Sequence, residues 1–132
     1  MQQETKLKYL KICLYGFGAF FILGTPAMMV LFGNPGFTWM PAQPEYELMI
    51  VGLYMTWGIF LVRAAKDPMA NASLIGFTIW GNIVHSGIML AEAIADKTEH
   101  ANMVGDIPGL FLVGVVLWYL MPKSDSTHYS AE

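Results

Sequence analysis

Apolar residues dominate four stretches of this chain, separated by short polar breaks. A hydrocarbon core of about 30 Å needs about 20 helical residues per crossing, and the spacing predicts helices over 9–32, 46–62, 68–95 and 103–121. The first reads YLKICLYGFGAFFILGTPAMMVLF, and Thr25-Pro26 predicts a kink in it, because proline cannot donate the backbone bond and crowds the preceding turn. Glu45 and Glu47 bracket the second on one side and Arg63 on the other. Asp67-Pro68 supplies an N-cap and a first-turn proline for the third. Asp106 and Pro108 open the fourth, so its charge-free part, Ile107 to Met121, is short and Asp106 is expected at the water interface. Tails over 1–8 and 122–132 flank a single domain.

The third stretch is not uniformly apolar. Thr78, Asn82, His85, Met89, Glu92 and Asp96 follow one another at spacings of 4, 3, 4, 3 and 4, which stacks them on one face of a helix. A polar face has no place against lipid, so it is expected to look inward or into a wet cavity. His85, with Asn82 and Ser86 beside it, is therefore expected in the interior, and Ile83 toward lipid.

Loop composition and charge complete an architecture. FGNPGFTWMPAQP holds three of the seven prolines and an Asn-Pro-Gly turn, whereas RAAKDP and DKTEHAN are short enough to make neighbouring helices antiparallel. Lys6, Lys8, Lys11, Arg63, Lys66 and Lys123 fall on one side of a four-span chain, leaving Lys97 on the other. The positive-inside rule then puts both termini in the cytoplasm. Tyr9, Trp118 and Tyr119 fit an aromatic belt on that side, with Trp39 and Tyr46 on the opposite one. The lysines before the first apolar run also suit a signal peptide, but the run is long and no A-x-A site follows, so an uncleaved helix is expected. The fold class is an all-α membrane protein, an antiparallel four-helix bundle.

Composition agrees with this class: 55% of residues are hydrophobic and 13% charged, against about 25% charged in soluble proteins, and the mean hydropathy is +0.48. A net charge of -3 with no basic patch argues against nucleic acid. Cys13, the one cysteine, excludes an intrachain disulfide and a CxxC motif.

The stretch from Gly52 to Met89, with GIF-x-x-x-A-A-x-x-P-x-A-N-x-S-L-I and a downstream W-x-x-x-x-H, resembles a family of small bacterial four-helix membrane proteins that is a domain of unknown function. The resemblance implies a bacterial inner-membrane location and the four-helix fold, and it carries no catalytic residue.

Several candidate sites stand beside structural alternatives. An intramembrane histidine can be a proton carrier, a ligand contact or a metal or haem ligand; equally, His85 can be a neutral imidazole bonded across helices to Tyr54, Thr56 or Thr25. The polar set is Thr78, Asn82, His85, Ser86, Met89 and Glu92 with Tyr54 and Thr25. Glu92, Asp96 and His100 could hold a divalent cation, or form a solvated helix end that Glu99 joins. Glu45, Glu47 and Asp106 would share that mouth, where an acidic rim gathers cations. Ala72-x3-Gly76, Gly87-x3-Ala91 and Gly105-x3-Gly109 permit close helix approach, for internal packing or self-association. The ten methionines read as adaptable packing groups.

No P-loop, dinucleotide fingerprint, HExxH or GxSxG occurs, and no cofactor is expected. Two functions compete. One is an accessory subunit or small-ligand or lipid-binding module, a homo-oligomer or part of a larger membrane complex, with a small apolar ligand as one possible cargo. The other is an intramembrane enzyme or proton-coupled carrier using His85 with Glu92 or Asp96. The short loops and missing catalytic constellation favour the first.

Overall fold

The computed structural model describes residues 2–32 and 44–122. Among these residues all regular structure is helical. The segments are α1 (Gln3–Ala19), a π-helical turn (Phe20–Gly24), α2 (Thr25–Phe32), α3 (Pro44–Ala64), α4 (Ala72–Ala95), a 3-10 turn (Lys97–Met103) and α5 (Asp106–Leu120). Because α1, the π turn and α2 run on without a break, they make one rod, and the described chain forms four rods in all. Three helices, Gln3–Leu31, Glu45–Ala64 and Ala72–Ala95, are long and apolar enough to cross a membrane, whereas Asp106–Leu120 is apolar but shorter. Large apolar side chains such as Val30, Leu53, Phe77 and Leu112 stand open along all four rods. A water-soluble monomer rarely leaves so much apolar surface uncovered; hydrocarbon covers it at no cost. The glycine-proline loop, Trp39 and Lys123 lie outside the described residues.

The expected kink at Thr25-Pro26 takes a specific form. The Thr25 N–H reaches back to the Phe20 carbonyl, one residue further than an α-helix would use. Its hydroxyl meanwhile donates to the Phe21 carbonyl at 2.7 Å, the acceptor its N–H has abandoned. The helix thus widens by one residue just before the proline, and the freed carbonyl keeps a donor.

The third helix starts later than its sequence suggests. Asp67 caps a separate turn, accepting the Ala70 N–H at 3.1 Å, and its carbonyl accepts the Asn71 side-chain amide at 2.8 Å. The α-helix proper begins at Ala72 with Asn71 as N-cap residue. Pro68 is buried in that turn and does not open the helix.

Close approach of helices occurs at positions other than the small-x-x-x-small pairs. A Cβ on Gly58 would sit 2.6 Å from the Gly18 carbonyl oxygen, and one on Gly18 would sit 2.9 Å from that of Gly58. Only hydrogen fits there, so α1 and α3 meet backbone to backbone. On the other side of the molecule, Gly114 of α5 lies under the Ile79 carbonyl and the Ile83 side chain of α4. In contrast, Gly76, Gly87 and Gly109 have open space where a Cβ would go, so these three do not serve internal packing.

Two pairs of rods result, the α1 rod with α3 and α4 with α5, and a shared core seals them. Leu10 and Leu14 of α1 join Leu117 and Leu120 of α5, with Leu61 of α3 and Ile75 of α4 completing the cluster. One end is further tied by Lys6, whose Nζ donates to the Tyr119 carbonyl at 3.1 Å and lies 5.0 Å from the centre of that tyrosine's ring. The cation thereby occupies the carbonyl-rich end of α5.

These contacts predict a sharp asymmetry between glycines. Gly58→Ala should force the α1 rod and α3 apart and cost about 1–3 kcal/mol of stability, the usual range for overpacking. Gly76→Ala, which meets nothing within 4 Å, should match or exceed the natural protein. Thermal unfolding in one detergent checks both, and equal melting temperatures for the two variants would contradict the close approach.

Candidate functional site

Alternation along α4 decides which polar residues are inside. Thr78, Asn82 and Ser86 are buried at spacings of four, and Ile75, Ile79 and Ala93 are buried beside them. The buried seam is therefore rotated away from the expected stripe. His85, Glu92 and Asp96 lie along its exposed edge, with Met89 half-buried between. Two expectations are corrected here: His85 is exposed and not interior, and Ile83 is not turned outward but packs over Gly114 of α5. The physical reason is the glycine. Only at Gly114 can α5 come near enough to receive Ile79 and Ile83, and that contact fixes the rotation of α4.

Each buried polar group satisfies itself close to home. Thr78 Oγ1 donates to the Leu74 carbonyl at 2.9 Å and accepts Trp57 Nε1 from α3 at the same distance. Asn82 Nδ2 donates to the Thr78 carbonyl at 2.7 Å, and Ser86 Oγ to the Ile83 carbonyl at 3.0 Å. Asn82 Oδ1 is the exception on α4, being buried with no donor among the described residues, as is Glu47 Oε1 on α3. An acceptor stranded in this way costs about 1–3 kcal/mol of desolvation.

At the edge of the seam, Tyr54 and His85 join α3 to α4. The Tyr54 hydroxyl and His85 Nδ1 are hydrogen-bonded at 3.2 Å, and the two rings lie 6.5 Å apart between centres. Of the three cross-helix partners open to His85, Tyr54 is the one that reaches it. Thr25 and Thr56 spend their hydroxyls on the carbonyls of Phe21 and Gly52 in their own helices. Thr25 accordingly belongs to the π turn and stands apart from the histidine.

An aromatic cluster, which the polar periodicity of α4 gave no means of finding, supports the pair. Tyr54 stacks on Trp57 with ring centres 5.8 Å apart. Phe21, held in the π turn, meets Tyr54 edge-on at 5.0 Å, and Phe77 lies 5.3 Å from Trp57. The signal in the sequence was the spacing of Tyr54 and Trp57 by three, which puts both on one face of α3.

Outside this joint, a shallow groove of about 450 Å³ runs along α4, lined by Phe77, Trp80, Gly81, Val84, His85 and Ile88. It exists because Gly81 has no side chain and because the Trp57 ring fills the gap behind it, 3.3 Å from where a Cβ would stand. Glu92 follows Ile88 by one turn on the same face.

The possible cation site at the end of α4 does not form. Among the described residues no three His, Cys, Asp or Glu side chains come together to hold a metal. The helical register that would stack Glu92, Asp96 and His100 stops at Ala95, and Asp96 turns to an extended backbone. Its carboxylate instead accepts the Thr98 N–H at 2.9 Å and hydroxyl at 2.8 Å. Those two bonds, with His100 nearby, hold the Asp96 carboxyl below the usual carboxylate range. Glu99 is similarly engaged, by the Asn102 amide at 2.7 Å.

Comparison with known proteins reaches a family and stops there. The model of DUF6632, a family of unknown function, matches residues 4–131, far more of the chain than the Gly52–Met89 stretch that first suggested a relationship. No curated protein and no solved structure matches it. The chain belongs to DUF6632.

The stranded acceptor of Asn82 makes a definite prediction. Asn82→Leu removes one short bond to an already bonded carbonyl and also removes the buried oxygen, so its melting temperature should equal or exceed that of the natural protein. A clear fall would show that some donor reaches Oδ1.

Proposed function

We propose that this chain is a multi-pass protein of the bacterial inner membrane, an antiparallel four-helix bundle with both termini cytoplasmic, that works as a non-enzymatic binding module. It takes a small, largely apolar molecule and passes its presence to a partner, either a second copy or a larger membrane complex. The observation that carries this reading is the groove on α4, where an apolar floor ends at the exposed Tyr54–His85 pair. Small-molecule sites combine mostly apolar walls with a few placed polar groups, and a volume of about 300–1,000 Å³ is usual. The α4 groove has the apolar wall and one polar group, His85, and as a shallow face of a single helix it opens sideways toward the surface that lipid would cover.

Support for the orientation comes from charge. Lys6, Lys8, Lys11, Arg63 and Lys66 gather where α1 begins and where α3 passes to α4, while Glu45, Glu47, Glu92 and Asp106 sit at the other ends of their helices. Cysteines placed at Gln3 and Ser126 after removal of Cys13 should both resist an impermeant thiol reagent in intact cells. Labelling of either from outside overturns the topology.

A second reading takes His85 as the titrating centre of a proton-coupled carrier or an intramembrane enzyme. Its specific support is the Tyr54 hydroxyl bonded to the ring at 3.2 Å, with Glu92 two turns further along the same face. Against it, seven residues of helix separate His85 from Glu92, roughly 10 Å in depth, too far for direct proton exchange. Native mass spectrometry after purification in mild detergent distinguishes the two. The binding reading expects a small amphiphile or a partner subunit to travel with the protein. A bare monomer whose reconstituted vesicles move protons, and lose that activity in His85→Leu, would establish the carrier instead.

A further inference from the structure

The basic end of the bundle has a corner where free cations abut open apolar surface. Lys6, Lys8, Lys11, Arg63 and Lys66 stand with Glu4 and Asp67 at the end where α1 begins and α3 passes to α4. Part of that charge is already engaged. Lys6 serves the Tyr119 carbonyl and ring, Glu4 lies one turn before Lys8, and the Asp67 carboxylate accepts the Ala70 N–H. Lys11, Arg63 and Lys66 are left. Lys11 lies between Leu10 and Leu14, which share the core with Leu61 and Ala65, and Arg63 and Lys66 flank Ala65 in the chain. The Lys66 N–H donates to the Arg63 carbonyl at 3.2 Å, so those two follow within a single turn. Arg63 and Lys66 are exposed and Lys11 is half-buried. Among the described residues no carboxylate pairs with any of the three.

Arg63 gives this corner its direction. Its guanidinium lies over the Phe60 ring, 5.8 Å from the centre. From Arg63 the same face of α3 continues through Phe60, Thr56 and Leu53, at spacings of 3, 4 and 3. Phe60 and Leu53 are both exposed. A planar cation thus stands at the head of an apolar track that runs toward the middle of α3. We propose that an anionic phospholipid docks here, its phosphate among Arg63, Lys66 and Lys11 and an acyl chain along Phe60 and Leu53. The inference rests on the membrane reading and is independent of the groove on α4. A guanidinium fork matches phosphate oxygens two at a time, and clustered basic side chains at a membrane surface select anionic lipids. A soluble phosphate would meet the cations and leave the track uncovered. A zwitterionic lipid would bring its own amine against them.

Native mass spectrometry of the full chain, released from mild detergent holding equal amounts of dioleoylphosphatidylglycerol and dioleoylphosphatidylcholine, reads which lipid stays bound. The phosphatidylglycerol should be retained over the phosphatidylcholine by at least about fivefold, the contribution of one basic side chain near an anionic surface. Arg63→Gln and Lys66→Gln should each lower that preference severalfold, whereas Lys97→Gln, beyond the other end of α4, should leave it unchanged. Arg63→Lys keeps the charge but loses the fork, and it should fall between the natural protein and Arg63→Gln. Melting temperatures show whether each variant is folded; if Arg63→Gln is not, Lys66→Gln carries the same reading. Equal retention of the two lipids, or an effect of Lys97→Gln as large as that of Lys66→Gln, overturns the docking. Release of the bound lipid by millimolar inorganic phosphate also overturns it, since the corner would then take the anion alone. A chain that stays in solution without detergent overturns the membrane reading itself, a different failure from a chain that needs detergent and holds both lipids equally.

Discussion

Trp57 holds α3 to α4 with a single side-chain hydrogen bond, Nε1 to Thr78 Oγ1 at 2.9 Å, and with its ring laid behind Gly81. The rest of the site depends on that joint. Because an indole bridges the two helices where smaller side chains would let them close, α4 stands off from α3 and its outer face stays open as a groove. The same ring gives Tyr54 a surface to stack on, and the stacked phenol is thereby aimed at His85. Thr78 makes the joint possible by donating to the Leu74 carbonyl of its own turn while accepting the indole N–H. Its hydroxyl is fully used, so burial costs it little.

Behind this joint lies a chain of causes that starts at Pro26. The missing N–H of proline makes the preceding helix widen, and Thr25 repairs the carbonyl that is left over. Widening changes the rotation of every residue before it relative to those after it. Phe21 falls inside the widened turn, is buried, and meets both Tyr54 and Trp57 edge-on. The contact of Gly18 with Gly58 brings the two rods near enough for that ring to reach. A local backbone adjustment in the first rod thus sets the wall against which Tyr54 rests.

Much of this was legible in the amino-acid order, and the parts that were not share a cause. Four apolar stretches, the polar side of the third and the consequence of Thr25-Pro26 all follow from local rules, since period and proline chemistry act within one helix. The rotation of α4 does not. Asn82, His85 and Ser86 are near neighbours around the helix, and choosing which of them points inward needs the partner surface, here the notch at Gly114 that receives Ile79 and Ile83. Glycine spacing misled for the same reason: Gly87-x3-Ala91 has the right pattern, but nothing stands opposite Gly87. At the far end, three ligand-like residues at helical spacing lost their register because Asp96 prefers to cap Thr98. That competition between a side chain and the helix it terminates is a known property of aspartate, yet the sequence does not say which wins.

The energy of the joint bears on how the groove could work. A polar side-chain contact between helices in a membrane contributes roughly 0.6–2 kcal/mol, so the Trp57–Thr78 and Tyr54–His85 bonds together hold α3 to α4 with a few kcal/mol at most. The seams inside each pair of rods are of a different kind. Backbone meets backbone at Gly18 and Gly58, and α5 receives two isoleucines at Gly114. The α3–α4 seam is therefore the loosest of these three contacts, and the two pairs are joined chiefly by the shared core of Leu10, Leu14, Leu61, Ile75, Leu117 and Leu120. A ligand that entered the groove and displaced the indole or the phenol would loosen α3 from α4 at the aromatic cluster while the shared core kept the two pairs joined. The weakness of the α3–α4 seam, set beside the strength of the other two, is what would let a molecule of groove size shift α4 against α3.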